Sequence, residues 1–367
     1  MALVWKKVLS GFAIFSLCPF AGFAFGADLE LVVTRHFDRP ALTVRSPGAE
    51  GNKYGFEGGT VLKVAGAYHL FTSEMVGDPE WVKMKLAHWV SRDRMHWQRA
   101  GTLFESSGNF TGDDPRASLW APMPVFDAKE NRWNLFYVAY RAAPDTPQEW
   151  RNNYEGQIWR AVSETAGEGG IGGPYRDAGI VLKPGPDSDS WEGLQGTDSF
   201  FPYRVGGAWY GFYGSAHTEK LPITSWQVGL AKAADLPGPW TRCTAMNPVA
   251  LDPRFVENPV VTRLADGTYV AVYDNDRKNT IGYAFSADGV HWPAGQSLTV
   301  QEGSGTWARD VRTPLGLVPE GKGKFTLFYT GYEKGAGATA AGNVTLPGVA
   351  AMGMVEVELR RGGEKRK

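Results

Sequence analysis

Cysteine and histidine are scarce in this chain, which has two of the former and six of the latter among its 367 residues. Cys18 falls in an apolar N-terminal run, so removal of that run would leave Cys243 without a partner for an internal disulfide. A surplus of charge is also lacking, because 38 Lys and Arg face 39 Asp and Glu. These shortages exclude a disulfide-stapled scaffold and argue against a nucleic-acid partner. The hydrophobic core itself must therefore stabilise the fold.

The common cofactor motifs are absent as well. The sequence has no P-loop, no His-Glu-x-x-His zinc helix and no Gly-x-Ser-x-Gly nucleophile elbow. Two acidic stretches, Asp113-Asp114 and Asp187-Ser188-Asp189, resemble calcium-binding loops in composition alone. We therefore expect no cofactor and no catalytic metal, and a structural calcium is the one ion that composition allows.

The N-terminus has the layout of a secretory signal peptide. Lys6 and Lys7 precede an apolar run over 8–25, and the small residues Gly26 and Ala27 follow it. We expect residues 1–26 to be removed, with no membrane attachment afterwards. A retained membrane anchor is the alternative, but Pro19 and the modest length of the run disfavour it. The expected location is secreted or periplasmic.

Glycine, proline and aromatic residues are abundant: the chain has 46 Gly, 23 Pro and 14 Trp. So many turn-forming residues leave little room for long helices and favour an all-β fold. A turn residue followed by alternating aromatic and aliphatic residues occurs five times, starting at Gly66, Asn131, Gly207, Gly267 and Gly323. Each copy is followed by a second alternating strand, and four are then followed by a turn that ends in an aromatic residue.

Five copies of this pattern, spaced by roughly 55 to 75 residues, predict a single five-bladed β-propeller. The expected boundaries are a lead segment over 27–50, the propeller over 51–360 and a basic tail over 361–367. The aromatic residue that ends the last turn of a blade is expected to pack between neighbouring sheets. We expect the protein to be a monomer.

Acidic residues recur on the strand that should line the propeller's central channel. Glu57, Asp198 and Glu257 each stand nine or ten residues before the turn residue of their copy, and Asp310 stands further from its own. An isolated carboxylate in an apolar strand is costly unless it is paired or used. Pairing with backbone amides or with an arginine would be a purely structural explanation. Recurrence favours function, because two facing carboxylates are the minimum for glycoside hydrolysis.

Aromatic and basic residues near these acids are candidates for substrate binding. Trp120 lies on the inner strand of the second copy, and Trp307 lies just before that of the fifth. Both could stack on a sugar ring or serve only in packing between blades. Arg309 and Arg312 flank Asp310, where they could pair with an acid or bind phosphate.

The chain resembles the five-bladed propeller glycosidases, above all glycoside hydrolase family 43 with its arabinanases, arabinofuranosidases and β-xylosidases. Trp120-Ala121-Pro122 is similar to that family's Trp-Ala-Pro-Asp motif, and the turn over 286–292 is similar to its Ser-x-Asp-Gly-x-x-Trp turn. The resemblance implies that Glu57 is the general base and Asp198 the general acid, with inversion at the anomeric carbon. Met123 stands where the family has a pKa-tuning Asp, beside the substrate. Glu257 is the alternative acid.

Three functions follow as hypotheses. The first is an inverting glycoside hydrolase, arabinofuranosidase-like or xylosidase-like, acting on a polysaccharide or oligosaccharide. The second is a non-catalytic carbohydrate-binding propeller, which Met123 in place of an acid would favour. The third is a glycoside phosphorylase of a related propeller family, for which Arg309 and Arg312 would hold the phosphate.

Overall fold

The computed structural model describes residues 29–302, 306–334, 339–341, 344–346 and 348–362. The predicted signal peptide over 1–26 and most of the predicted tail over 361–367 lie outside these residues. Within them, regular structure consists almost wholly of β-strands, and the two helices are short 3-10 turns at Glu168–Gly172 and Thr244–Met246. The predicted all-β class is therefore confirmed. No helix in the described part is long and apolar enough to cross a membrane.

The strands follow one another along the chain in antiparallel units of four, and a single parallel pairing of Gly55 with Ala350 joins the first and last units into one eight-stranded sheet. A first strand, β1 (Leu29–Arg35), precedes them. Unit 1 contains β2 (Gly55–Val64), β3 (Ala67–Met75), β4 (Met84–Ser91) and β5 (Gln98–Glu105); unit 2 contains β6 (Ser118–Asp127), β7 (Arg132–Arg141), β8 (Tyr154–Ala166) and β9 (Tyr175–Leu182); unit 3 contains β10 (Asp198–Val205), β11 (Ala208–Ala216), β12 (Trp226–Ala233) and β13 (Thr241–Arg242); unit 4 contains β14 (Glu257–Arg263), β15 (Tyr269–Asp274), β16 (Thr280–Ser286) and β17 (Gln296–Thr299).

The last unit is closed by the start of the chain. Unit 5 contains β18 (Ala308–Gly321), β19 (Lys324–Glu333) and β22 (Ala350–Arg361), and β1 pairs with β22 as its outermost strand. The lead segment thus contributes a strand to the sheet formed by the C-terminal end of the chain. Between β19 and β22, the short strands β20 (Thr339–Ala341) and β21 (Val344–Leu346) pair with each other.

Neighbouring units pack through apolar side chains that lie between their sheets. Trp240 of unit 3 contacts Phe136, on the second strand of unit 2, and Phe200, on the first strand of unit 3. Its ring is edge-on to both. Trp97 of unit 1 contacts Phe328 of unit 5 in the same edge-on manner. The predicted packing of turn-ending aromatics between sheets is confirmed at these positions.

Candidate active site

The first strand of each unit is interrupted where one extra residue stands opposite the second strand. A bulge of this kind bends the strand and redirects the side chain beside it. In units 1 to 4 the residue after this point has a positive φ. One residue begins this irregularity in each of units 1 to 4, and in unit 5, where β18 has four irregularities, we take the one that begins at Arg312. We call these five residues the bulge residues: Glu57, Trp120, Asp198, Glu257 and Arg312.

Glycine permits this geometry in unit 1. Gly59 has a φ of 102°, and a Cβ atom there would lie 2.0 Å from the carbonyl oxygen of Phe71. Only a residue without a side chain allows the two strands to approach so closely. The Gly58-Gly59 pair therefore serves strand geometry beside Glu57.

All five bulge residues line one cavity. The expectation that Glu57, Asp198 and Glu257 present their side chains to a single pocket agrees with this placement. Trp120, predicted as a sugar platform, lines the same cavity. The catalytic and binding roles of these four residues stay predictions.

Glu57 is buried and bonded on both carboxylate oxygens. Thr313 donates its hydroxyl to Oε1 at 3.1 Å, and Tyr332 donates its hydroxyl to Oε2 at 2.9 Å. Burial raises the pKa of Glu57 above its ordinary value. The Arg312 cation and the two hydroxyl donors oppose this rise, because they stabilise the ionised form.

Asp198 is similarly buried, with 6% of the residue exposed. Its Oδ1 accepts the backbone N–H of Ser199 at 2.6 Å. Burial raises the pKa of Asp198, and the side chains of Tyr140, Ser199 and Trp226 partly offset the rise. The pKa of Tyr140 is itself raised well above its ordinary value by burial and by the charge of Asp198. Tyr140 therefore stays protonated beside the carboxylate.

Glu257 shares an arginine with a second acid. Arg312 donates from Nη2 to Glu257 Oε2 at 2.6 Å and from Nε to Asp274 Oδ2 at 2.7 Å. Burial is the largest cause that raises the pKa of Glu257 well above its ordinary value, and the Arg312 cation opposes it. The negative charges of Asp198, Asp274 and Glu57 reinforce the rise. The pKa of Glu257 is therefore raised despite its bond from Arg312.

A chain of hydrogen bonds joins the residues that follow the bulge residues. Ser199 donates its hydroxyl to Asn258 Oδ1 at 3.1 Å, and Asn258 Nδ2 donates to the Thr313 hydroxyl at 3.4 Å. Thr313 in turn donates to Glu57. Because all four residues are buried, this chain fixes the orientation of the Glu57 carboxylate from across three units.

Aromatic rings form an arc along the cavity wall. Trp120, Trp81, Trp150, Trp226 and Phe255 contact one another in that order, with ring centroids 5.9 to 6.5 Å apart. All five line the cavity. Trp150 is buried, whereas the other four are only partly buried and offer ring surface to a ligand.

Equivalent loops supply three of these tryptophans. Trp81 and Trp150 lie between the second and third strands of units 1 and 2, and Trp226 begins the third strand of unit 3. The loops of units 2 and 3 are joined by the backbone bond from Trp150 N to Thr218 O at 2.9 Å. Three of the five rings are thus supplied by equivalent loops of units 1 to 3, while Trp120 lies on β6 and Phe255 just before β14.

Four predicted site residues lie outside the cavity lining. Met123 is 1% exposed and packs in the core around unit 2, because its side chain falls past the bulge. Trp307 stacks on Tyr329 within unit 5, with centroids 6.2 Å apart. These two positions correct the expectation of substrate contact, since their side chains are taken up by packing.

The fifth unit corrects a second expectation. Asp310 was expected to be its inner-strand acid, but the bulge residue there is Arg312. Asp310 accepts the backbone N–H of Val311 at 2.8 Å, and Arg309 is exposed. Neither lines the cavity, because β18 has several pairing irregularities that move the register away from a simple count.

Three residues that contact the bulge residues were not found from the sequence. Tyr140, Asp274 and Tyr332 lie at or near the ends of the second strands β7, β15 and β19. Asp274 stands directly opposite Glu257 in the pairing of β14 with β15. A search for polar or tyrosine residues at these strand ends would have found them.

No group of three or more potential metal ligands lies close together among the described residues. The acidic stretches at 113–114 and 187–189 therefore belong to no such group.

Comparison with solved structures identifies the fold. No protein-family model matches the chain, and no curated protein sequence matches it. The solved structures that it resembles include a family 117 glycoside hydrolase from the marine bacterium Zobellia galactanivorans, at 13% identity and a TM-score of 0.58, covering 93% of this chain and 96% of that one.

Two other similar structures come from related families. The catalytic domain of a Coprinopsis cinerea family 62 α-L-arabinofuranosidase is 14% identical with a TM-score of 0.55, over 87% of this chain and 95% of that one. A thermostable family 43 glycoside hydrolase is 17% identical with a TM-score of 0.51, over 89% and 97%. The chain therefore has the fold of the propeller glycoside hydrolases, and the predicted resemblance is confirmed at the level of fold.

Proposed function

We propose that the protein is a glycoside hydrolase. The observation that carries the proposal is the convergence of three carboxylates, the buried Glu57 and Asp198 and the partly buried Glu257, from equivalent bulges into one cavity walled by aromatic rings. Glycoside hydrolysis needs one carboxyl group that is protonated and one that is ionised on opposite sides of the scissile bond. Nearby acids with raised pKa values supply both states.

We assign the acid role to Glu257 and the base role to Glu57. Three neighbouring negative charges favour the protonated form of Glu257, so it can donate a proton to the leaving oxygen. Burial raises the pKa of Glu57, but Arg312, Tyr332 and Thr313 offset part of that rise, and we assign to Glu57 the ionised state that accepts a proton from water. Asp198 would keep the proton on Glu257 by its charge. This departs from the family resemblance, which implies that Asp198 is the acid.

The expected blade count, export, oligomeric state and stereochemistry are also part of the proposal. We propose five blades, one for each four-stranded unit, formed by the expected propeller region over 51–360, with β1 closing the ring. We propose export of the chain after removal of 1–26, monomeric action, and inversion at the anomeric carbon. An arabinofuranosidase-like or xylosidase-like substrate is the starting point for assays.

Phosphorolysis has less support. Of the described residues that line the cavity, Arg312 is the only cation, and Glu257 and Asp274 already bond to it. An entering phosphate would meet acids rather than a free guanidinium. The non-catalytic alternative predicts sugar binding without turnover.

The direct test is a screen of aryl glycosides and plant or algal polysaccharides with the wild-type chain and the Glu57→Gln, Asp198→Asn and Glu257→Gln variants. Asp235→Asn is a matched control, because Asp235 pairs with Lys129 on the surface. We expect sugar release by wild type and control. Loss of turnover by about two to four orders of magnitude is expected for the variants at Glu57 and Glu257. Binding without release by the wild type would favour the non-catalytic alternative.

A further inference from the structure

Single parallel bridges join neighbouring units beside the cavity. Between units 3 and 4 the bridge pairs Trp226 with Phe255, so the seam there presents two aromatic rings to the cavity. Between units 2 and 3 the bridge pairs Gly156 with Gly196, which have no side chains to present. The side chains that face the cavity at this second seam must therefore come from neighbouring residues.

Close backbone contact holds the seam between units 2 and 3. Gly156 N donates to the Gln195 carbonyl at 2.8 Å, and Thr197 N donates to the Gly156 carbonyl at 2.9 Å. Gly196 has a φ of 79°, and a Cβ atom there would lie 2.3 Å from Gly156 N. Only glycine permits this approach, so the seam fixes the backbone at Gln195.

Three side chains at this seam line the cavity and are at least nine-tenths buried. Trp150 and Asn153 come just before β8 of unit 2, and Gln195 comes just before β10 of unit 3. Each has one polar atom that finds no hydrogen-bond partner among the described residues: Trp150 Nε1, Asn153 Oδ1 and Gln195 Oε1. A buried polar atom without a partner is costly, so these three atoms point to a ligand that forms hydrogen bonds.

A tyrosine orients the amide of Gln195. Gln195 Nε2 donates to the Tyr140 hydroxyl at 3.2 Å, and Tyr140 is also hydrogen-bonded to Asp198. Because an ionised carboxylate only accepts hydrogen bonds, the single proton of the phenol goes to Asp198, and the phenol oxygen accepts from the amide. The amide nitrogen of Gln195 therefore faces Tyr140, and Oε1 is left as an acceptor.

One donor and two acceptors complement hydroxyl groups. A hydroxyl can accept from Trp150 Nε1 while it donates to Asn153 Oδ1 or Gln195 Oε1. An ether oxygen would serve Trp150 alone, and a methylene group would serve none of the three. The seam therefore favours a sugar edge that carries hydroxyls over one that is deoxygenated or alkylated.

We propose that Asn153 and Gln195 are specificity-determining residues that hydrogen-bond the hydroxyl groups on one edge of the bound sugar, with Tyr140 positioning the Gln195 amide. A sugar that lacks a hydroxyl on this edge leaves a buried acceptor unpaired and is rejected. This inference rests on the proposed function, since it takes the ligand of the cavity to be a sugar. It adds which edge is recognised, namely the one that faces units 2 and 3 beside Asp198.

Monodeoxy sugars test the inference by binding alone. The probes are D-galactose, D-glucose, D-xylose and L-arabinose, each compared with its 2-, 3- and 4-deoxy analogues by ligand-observed NMR titration of the wild-type chain at pH 7. For at least one sugar that binds, one analogue should bind about tenfold or more weakly than its parent. Analogues that all bind as tightly as their parents would overturn the inference, as would the absence of binding by every sugar.

Variants assign the lost hydrogen bond to a residue. Asn153→Leu and Gln195→Met each replace an amide by an apolar group of similar size, so at least one of them should bind that parent and that analogue within about threefold of each other. Gln301→Met is the matched control, because Gln301 is also buried and donates from Nε2 to the Tyr329 hydroxyl away from the cavity lining. It should keep the wild-type discrimination. Discrimination that survives in both amide variants, or that Gln301→Met also loses, would overturn the assignment, and either amide variant carries the test if the other does not fold.

Tyr140→Phe tests the positioning of Gln195. Without the phenol hydroxyl the amide is free to turn, so Tyr140→Phe should lower the same discrimination that Gln195→Met lowers and leave the discrimination due to Asn153 in place. Tyr137→Phe is the control, because Tyr137 lies on the same strand and donates to Asp177 rather than to a cavity acid. Equal weakening of parent and analogue by Tyr140→Phe would show a merely structural role and would overturn the positioning.

Hydrolysis assays separate this inference from the proposed function. Deoxy discrimination that depends on Asn153 or Gln195, without any turnover, would overturn the hydrolase and leave the inference standing. Turnover of parent and monodeoxy aryl glycosides at equal rates, in the wild type and the amide variants alike, would overturn the inference and leave the hydrolase standing.

Discussion

Two arginines in this protein, the buried Arg242 and the partly buried Arg312, each bond to two acids, and their surroundings distinguish a structural ion pair from a candidate catalytic cluster. Arg242, in unit 3, donates to Glu192 through Nε at 2.6 Å and Nη2 at 2.8 Å, and to Asp187 through Nη1 at 2.8 Å. Its remaining bonds go to the Lys183 carbonyl and the Ser188 hydroxyl. Every part of this guanidinium is occupied, and two acids face one cation.

Arg312, in the cavity, makes one bond to each of Glu257 and Asp274, while Glu57 and Asp198 add two further carboxylates nearby. Four acids therefore face one cation. Burial, reinforced by this surplus of acids, raises the pKa of Glu257, whereas the bidentate pairing at Arg242 is a satisfied ion pair. A satisfied pair stabilises a fold, and an unsatisfied cluster holds protons that can be moved.

The largest expected effect is on turnover. Glu257→Gln should lower kcat/KM on a natural glycan by about two to four orders of magnitude, because the amide cannot give a proton to the leaving group. Glu192→Gln, at the other arginine, should leave kcat/KM of the folded enzyme nearly unchanged. Steady-state kinetics of the two purified variants makes the comparison, and equal losses would remove the distinction between the two clusters.

The second effect is on stability, and here Glu192→Gln should change the protein more than Glu257→Gln. Glu192→Gln breaks a buried ion pair whose side chains are 2% and 3% exposed, so the free energy of unfolding should fall by about 3–5 kcal/mol. Chemical denaturation at pH 7 measures it. A loss below about 1 kcal/mol would mean that this pair does not stabilise unit 3.

Glu257→Gln should behave differently in the same experiment. The folded pKa of Glu257 lies above its unfolded value, so ionisation lowers stability as pH rises through the folded pKa. Below the unfolded value both states are protonated and this cost is absent. The variant should therefore be at least as stable as the wild type at pH 8 and similar to it at pH 4. Marked destabilisation at pH 8 would show that the Arg312 pairing outweighs the burial of the carboxylate.

A smaller effect is expected from the hydrogen-bond chain. Thr313→Val removes a hydroxyl that lowers the pKa of Glu57, so the acidic limb of kcat/KM should move to higher pH. Arg312, Asp274 and Tyr332 also act on Glu57 and are unchanged. The pH–rate profile measures the shift.

Thr330→Val is the matched control, because this equally buried hydroxyl donates to the Phe56 carbonyl at 3.3 Å rather than to a carboxylate. It should leave the acidic limb in place. The same shift in both variants would mean that general loosening, and not the bond to Glu57, moves the profile.

The smallest effect is expected outside the cavity. Arg309 is exposed and does not line the cavity, so Arg309→Ala should keep kcat/KM within about twofold, as is usual for exposed positions away from a site. Phosphate should not stimulate either protein. Activity that depended on both Arg309 and inorganic phosphate would revive the phosphorylase hypothesis.

The repeat pattern was enough to predict the strands, the packing of aromatic residues between sheets and the three acidic bulge residues of the cavity. Glu57, Asp198 and Glu257 were found because their distance from the following turn is nearly constant. Arg312 was missed as their counterpart because β18 contains four pairing irregularities, which break the count from Gly323.

Contacts between units were beyond a pattern based on spacing. Tyr332 reaches Glu57 from unit 5, although the two are far apart in sequence. Met123 follows a recognisable motif, yet the bulge at Ala121 turns its side chain into the core. Such contacts and side-chain directions depend on how neighbouring sheets pack against one another, and the residue spacing within a single strand does not determine that packing.

The central claim is that Glu257 supplies the proton to the leaving group, and leaving-group dependence tests it most directly. Hydrolysis by Glu257→Gln would be measured on aryl glycosides that differ only in the acidity of the phenol. We predict that kcat/KM is restored toward wild-type values as the phenol becomes more acidic, because a good leaving group needs no proton, whereas Glu57→Gln stays impaired throughout. A uniform loss in Glu257→Gln, with the recovery appearing in Asp198→Asn instead, would contradict the account and assign the proton to Asp198.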